Sequence, residues 1–209
     1  MARTNVQMQS MVREDASVAV TLEPSQVPAP GTDEVVVRMQ AAPINPSDLG
    51  NMFAGADMST VTPLVGGNGV EAQLSPGALR GAAARLGQPL PMGNEGSGIV
   101  VEAGSSATAQ ALIGKTVALR TGAYAQFRCI AAEHCLVLPD GTTPEQAASC
   151  FVNPLTALGM IETMRLEGHK AVVHTAAASN LGQMLQKICI ADGIQLAIIV
   201  RKPEQATHL

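Results

Sequence analysis

Lys170-Ala171-Val172-Val173-His174-Thr175 is a short apolar run of strand type, and the residues after it, Ala176 to Gly182, form a turn of mostly small side chains. Leu181, Met184, Leu185 and Ile188 then recur at i, i+3, i+4 and i+7, the spacing of one apolar stripe on a helix. Gly193 stands where such a helix stops. Gln195-Leu196-Ala197-Ile198-Ile199-Val200 is a second apolar run, long enough for one buried strand, and it ends in Arg201-Lys202. Strand, small-residue turn, helix, strand and then a residue that chooses between ribose and phosphate make up the opening βαβ unit of a dinucleotide-binding fold.

Outward from that unit, the bulk numbers narrow the class. The chain has 209 residues, 46% hydrophobic and 14% charged, which fits a buried globular core and not a disordered chain. A net charge of −4, with three phenylalanines, one tyrosine and no tryptophan, argues against nucleic acid, which needs a basic face and stacking rings. Thr4 to Asp15 holds no apolar segment of signal type, and no apolar run approaches bilayer length. Cys129, Cys135, Cys150 and Cys189 form no CxxC pair and no metal-ligand spacing with histidine, so buried thiols in a reducing cytoplasm are expected.

Upstream, residues 1–15 read as a polar, mobile arm. From Val18 the pattern is short strands with turns. Val35, Val37, Met39 and Ala41 alternate with Val36, Arg38 and Gln40, a half-buried strand by period. Glycines and prolines such as Pro43, Pro46, Gly93, Gly96, Gly98, Gly104 and Gly122 punctuate the joins. This predicts a β-rich, barrel-like domain over 16–150. Residues 54–92 are crowded with glycine and proline and read as an insertion holding one short helix, capped by Ser75 with Pro76 in its first turn. Its role as a lid or as plain surface elaboration stays open. Thr143, Pro144 and Gln146 carry a capping box, and Asn153-Pro154 can start a helix running to Gly168. Residues 151–209 would then hold the partial dinucleotide domain.

Three landmarks of the catalytic part carry a resemblance: Ala42-Pro43-Ile44-Asn45-Pro46-Ser47-Asp48-Leu49, Gly93-Asn94-Glu95-Gly96-Ser97-Gly98-Ile99-Val100, and Gly122-Ala123-Tyr124-Ala125-Gln126-Phe127. With Asn153-Pro154-Leu155-Thr156-Ala157 and the terminal βαβ unit, in that order, they resemble the medium-chain dehydrogenase/reductase superfamily, in its zinc-free quinone oxidoreductase branch. The resemblance implies a GroES-like catalytic domain followed by the first part of a Rossmann domain, an α+β and an α/β piece. It also implies further strands and a returning segment, roughly a hundred residues or more, to finish a six-stranded sheet.

The zinc-dependent relatives carry a histidine where this chain has Asn94, and a cysteine early in the barrel, where it has none before Cys129; no zinc is expected. The resemblance implies hydride transfer from NADPH to a quinone or an α,β-unsaturated carbonyl, with Asn45 as the catalytic candidate facing nicotinamide and substrate. The residue types of Asn45-Pro46-Ser47-Asp48 also suit a turn with a helix cap. Asp48 reads as structural, and Glu95 as a buried carboxylate orienting its turn. Enoyl reductases of the branch are expected to use a tyrosine soon after the asparagine, where this chain offers Gly50 to Phe53; its one tyrosine is Tyr124.

For the cofactor, the resemblance implies Asn153, Thr156, Ala178, Ser179, Asn180, Leu181 and Gly182. The family's three-glycine turn is represented by Ala177, Ser179 and Gly182. Arg201 and Lys202 occupy the position where an acid would hold the ribose of NAD; two cations favour the 2′-phosphate of NADPH, with a pair of solvated charges as the plainer reading. The partner is a small molecule, with a homodimer as an open alternative. A nucleotide-binding module without turnover and an enoyl-thioester reductase are the competing readings of function.

Overall fold

The computed structural model describes residues 3–207. The chain divides into two compact units, one running to Ala148 and the other starting at Ser149.

In chain order the first unit comprises β1 (Arg3–Val12), β2 (Ser17–Val27), β3 (Glu34–Ala41), α1 (Pro46–Phe53), β4 (Asp57–Pro63), β5 (Gly69–Gln73), α2 (Pro76–Gly81) and β6 (Leu90–Pro91). It continues with β7 (Glu95–Ala103), α3 (Ala107–Gln110), β8 (Thr116–Arg120), β9 (Phe127–Ala131), β10 (Leu136–Val137) and α4 (Pro144–Ala147). They build two five-stranded sheets, ordered β4-β5-β2-β1-β6 and β10-β8-β7-β3-β9. Val35, Val37, Val100, Val117 and Leu119 form the main core, each worth about 1.5–3 kcal/mol of transfer free energy when fully buried.

Val36 is buried along with Val35 and Val37, so β3 is not half-buried as its alternation predicts. It is a central strand between β7 and β9, and α4 packs against it as well. The cap of α4 is the predicted box: Thr143 Oγ1 accepts from the Gln146 N–H, and Gln146 Oε1 accepts from the Thr143 N–H.

Two expectations are corrected here. Residues 3–12 are not a mobile arm; they are β1, paired antiparallel with β2 from Arg3↔Val27 to Val12↔Val18. Their polar side chains are used inside the fold. Asn5 Nδ2 donates to Ser25 Oγ, Asn5 Oδ1 accepts from the Phe127 N–H, and buried Ser10 donates to the Met52 carbonyl. Residues 54–92 are not an excursion from the domain either. They supply three strands of the first sheet, with β5 against β2 and β6 against β1. The predicted helix is present as α2, capped by Ser75 Oγ accepting from the Ala78 N–H, but it stops at Gly81 and is followed by a 3₁₀ turn at Ala83–Arg85.

The second unit comprises α5 (Val152–Leu166), β11 (Ala171–His174), α6 (Asn180–Asp192), β12 (Gln195–Ile198) and α7 (Pro203–Ala206). β11 and β12 pair in parallel, from Ala171↔Gln195 to His174↔Ile198, with α6 between them in the chain. Ala157, Ile161, Leu185 and Cys189 form the helix-side core, with Val172 and Leu196 packed on it from the strands. Gly193 ends α6 at φ +65°, a left-handed position that glycine adopts without strain.

Candidate functional site

In the first unit a cluster of polar groups gathers where α1 begins. Asn45 is the residue before the helix, in extended conformation, and Pro46 fixes the first helical position. The Asp48 carboxylate turns back along the helix: Oδ2 accepts from the Asn45 N–H at 2.9 Å, while Oδ1 accepts from the Asn94 N–H at 2.8 Å. One carboxylate thus joins the 43–48 segment to the 93–95 turn. The Asn45 amide is directed elsewhere, donating from Nδ2 to Glu95 Oε1 at 3.0 Å. Asn45, Asp48 and Glu95 are all buried. Asn94 Nδ2 donates to Ser47 Oγ, and Asn51 Nδ2 donates to Asn94 Oδ1.

Asp48 therefore caps the start of α1, while one N–H of the Asn45 carboxamide is held by Glu95. Tyr124 joins the same cluster. Its hydroxyl donates to the Pro43 carbonyl at 2.7 Å. Burial, then Asp48 through its charge and through a hydrogen-bonding interaction with the phenol, and then the charge of Glu95, push its phenol well above the ordinary value. Burial likewise pushes the Cys129 and Cys135 thiols up to about 11, so neither is a thiolate at neutral pH. Among the described residues no group of three His, Cys, Asp or Glu side chains is placed to hold a metal ion.

In the second unit a cleft of about 380 Å³ opens between the turn after β11 and the segment after β12. Thr175, Ala176, Ala177, Ala178 and Ser179 line one side; Ile199, Val200, Arg201 and Gln205 line the other. Ser179 caps α6, its Oγ accepting from the Gly182 N–H at 3.0 Å. A Cβ on Gly182 would lie 2.4 Å from the Ala177 carbonyl oxygen, so helix and turn pack at a distance only glycine allows. Asn180 and Leu181 occupy the first turn, where a helix has no acceptors of its own for its N–H groups.

Of the residues expected at a cofactor, Ala178, Ser179 and Arg201 line this cleft, and Asn180, Leu181 and Gly182 follow Ser179 in the first turn of α6 without lining it. Lys202 does not line it; it precedes α7, and its N–H, like that of Arg201, donates to Gln205 Oε1. Asn153 and Thr156 lie in α5, where Thr156 Oγ1 donates to the Val152 carbonyl, and neither lines the cleft. Gln205 is a lining residue that sequence reasoning missed. Its signal was there: Pro203 opens a helix directly after Lys202, and Gln205 stands three residues past that cap.

Residues 31–159 match the family model of the alcohol dehydrogenase GroES-like domain. The quinone oxidoreductase of Pseudomonas aeruginosa is 36% identical over 124 residues, covering 57% of this chain and 38% of that protein. A Mesorhizobium loti crystal structure described as an NADPH:quinone reductase superposes with a TM-score of 0.64 at 27% identity, over 98% of this chain and 57% of that one. The chain belongs to the medium-chain dehydrogenase/reductase superfamily, in its quinone oxidoreductase-like branch. The mitochondrial enoyl-[acyl-carrier-protein] reductase of Bos taurus is another superfamily relative, 30% identical over 191 residues, 90% of this chain and 44% of that protein. The chain therefore spans less than half the length of these two curated relatives. Its GroES-like part and its parallel βαβ unit are the two pieces that this superfamily joins. No helix among the described residues is long and apolar enough to cross a membrane.

Proposed function

We propose that this chain is part of an NADPH-dependent, zinc-independent oxidoreductase that reduces quinones or α,β-unsaturated carbonyls. The observation that carries the reading is the cleft beside the capped start of α6, with Arg201 on its far wall. Small side chains at Ala176–Ser179 would let a pyrophosphate approach the backbone, and the start of α6 would offer its first-turn amides to that anion. The Arg201 guanidinium is the group that selects a 2′-phosphate, through charge-assisted hydrogen bonds. The donor set fits NADPH.

When bound, the dihydronicotinamide supplies a hydride to an electron-poor carbon, and the pair displaced from the double bond collects on the conjugated oxygen before protonation. The chain must then orient the acceptor and stabilise that oxygen. Asn45, whose carboxamide is fixed by Glu95, is the proposed group at the reacting oxygen. Asp48 keeps the two loops of the site in register and takes no part in proton transfer.

The bovine relative favours a second reading, reduction of an enoyl thioester. Steady-state oxidation of NADPH with a panel of quinones, enones and crotonyl-type thioesters separates the two. Oxidation with quinones or enones supports the first, and oxidation confined to the thioester supports the second. Nucleotide binding with no oxidation by any acceptor leaves a binding module without turnover.

A further inference from the structure

We propose that Tyr124 is a positioning residue, holding the Asn45 carboxamide in place through the Pro43 carbonyl; this rests on the reading of Asn45 given above. Downstream, Asn45 is fastened by the Asp48 carboxylate. Upstream, Ala42 packs on the core, but Ile44, next to Asn45, is 72% exposed and offers little hold. Pro43 has no N–H, so its carbonyl is its one polar backbone handle. That carbonyl receives the Tyr124 hydroxyl at 2.7 Å, across 81 positions of sequence.

Tyr124 is well placed to hold something else still. Its N–H donates to the Met92 carbonyl and its own carbonyl accepts from the Met8 N–H, which fixes the backbone on both sides. The ring packs with the group formed by Val20, Met52 and Met92. It also lies so close over Gly93 that a Cβ there would come within 2.7 Å of Cδ1. The hydroxyl is thus the tip of a rigid lever, engaged with the Pro43 carbonyl beside the Asp48 carboxylate, and it fastens the segment that carries Asn45. The single tyrosine of the chain so takes a place in the site without touching the reactants.

The test is Tyr124→Phe, which keeps the ring and removes the hydroxyl. The side-chain amide resonances of Asn45, identified by their loss in Asn45→Asp, should shift in the phenylalanine protein. With the preferred acceptor, kcat should fall about tenfold while KM and nucleotide affinity change less than about twofold, as for a displaced catalytic group. Unmoved Asn45 resonances, or an unchanged kcat, overturn the proposal. Parent protein that binds NADPH but reduces no acceptor would sink the reading of function, and the resonance comparison would still decide the role of Tyr124. If Tyr124→Phe does not fold, 3-fluorotyrosine incorporation labels this one tyrosine and alters its donor strength. Asn45 resonances that move in the folded fluorinated protein support the fastening, and ones that stay still overturn it.

Discussion

Asn45 Nδ2 and Glu95 Oε1 lie 3.0 Å apart, fifty positions apart in sequence, and Glu95 is entirely shielded from solvent. A buried acceptor that fixes an amide shows its worth when it is removed. Glu95→Ala leaves the amide proton of this bond without its acceptor and opens a cavity, so unfolding free energy should drop by about 1–3 kcal/mol or somewhat more. Glu95→Gln, which keeps the shape, should cost less. Urea unfolding of the two variants measures both. An alanine protein as stable as the parent would mean that the contact contributes nothing.

Gly182→Ala tests the packing of α6 on its turn. The new methyl would meet a backbone carbonyl, which cannot rotate away as a side chain can. We expect a loss of about 1–3 kcal/mol, the usual range for overpacking, together with weaker nucleotide binding. Thermal unfolding and a fluorescence titration with NADPH read the two effects separately.

Arg201 and Lys202, adjacent in sequence, should behave differently. On the proposed role of Arg201, which lines the cleft, Arg201→Ala should weaken NADPH binding by about tenfold to a hundredfold and leave NADH binding nearly unchanged, the effect of removing one charge-assisted phosphate contact. Lys202→Ala should change NADPH affinity by no more than about threefold, as expected of an exposed charge outside the cleft. Calorimetric titration with each nucleotide distinguishes them, and equal effects would contradict the geometry.

The Tyr124 phenol should titrate at higher pH in the folded protein than the ordinary value of about 10. Burial is the main cause, with Asp48 and Glu95 adding to it. Because the folded state prefers the neutral phenol, its contribution to stability is complete below about pH 10 and declines as pH rises toward the folded value. With a single tyrosine, phenolate absorbance in native and urea-unfolded protein gives the two curves directly. Coincident curves would place the hydroxyl in water.

The second unit was legible in the sequence because its signals are local. The apolar stripe of α6 and its Gly193 stop lie within thirteen positions, and β12 follows at once. The errors arose where partners are distant. Asn5 and Ser10 looked solvated because the groups that satisfy them, on Phe127 and Met52, lie far along the chain. By sequence Gly96 and Gly98 mark joins, yet both are inside β7, and Gly69 opens β5. A Cβ at Gly98 would lie 2.1 Å from the Arg38 carbonyl oxygen, and one at Gly69 would lie 2.1 Å from that of Val20. These glycines record one strand crowding another, beside register shifts in β3 in the first case. In the site, the Asn45 motif could be recognised, but its ties to Glu95 and Tyr124 depend on the folded sheets.

The placement of β1 bears on how the protein is handled at the bench. Residues 3–12 are woven between β2 and β6, and Ser10 reaches the end of the very helix that Asn45 begins. Trimming the first dozen positions as if they were a dispensable leader would split the first sheet and loosen α1 from behind. A purification tag is safer behind a cleavable spacer than spliced into that strand.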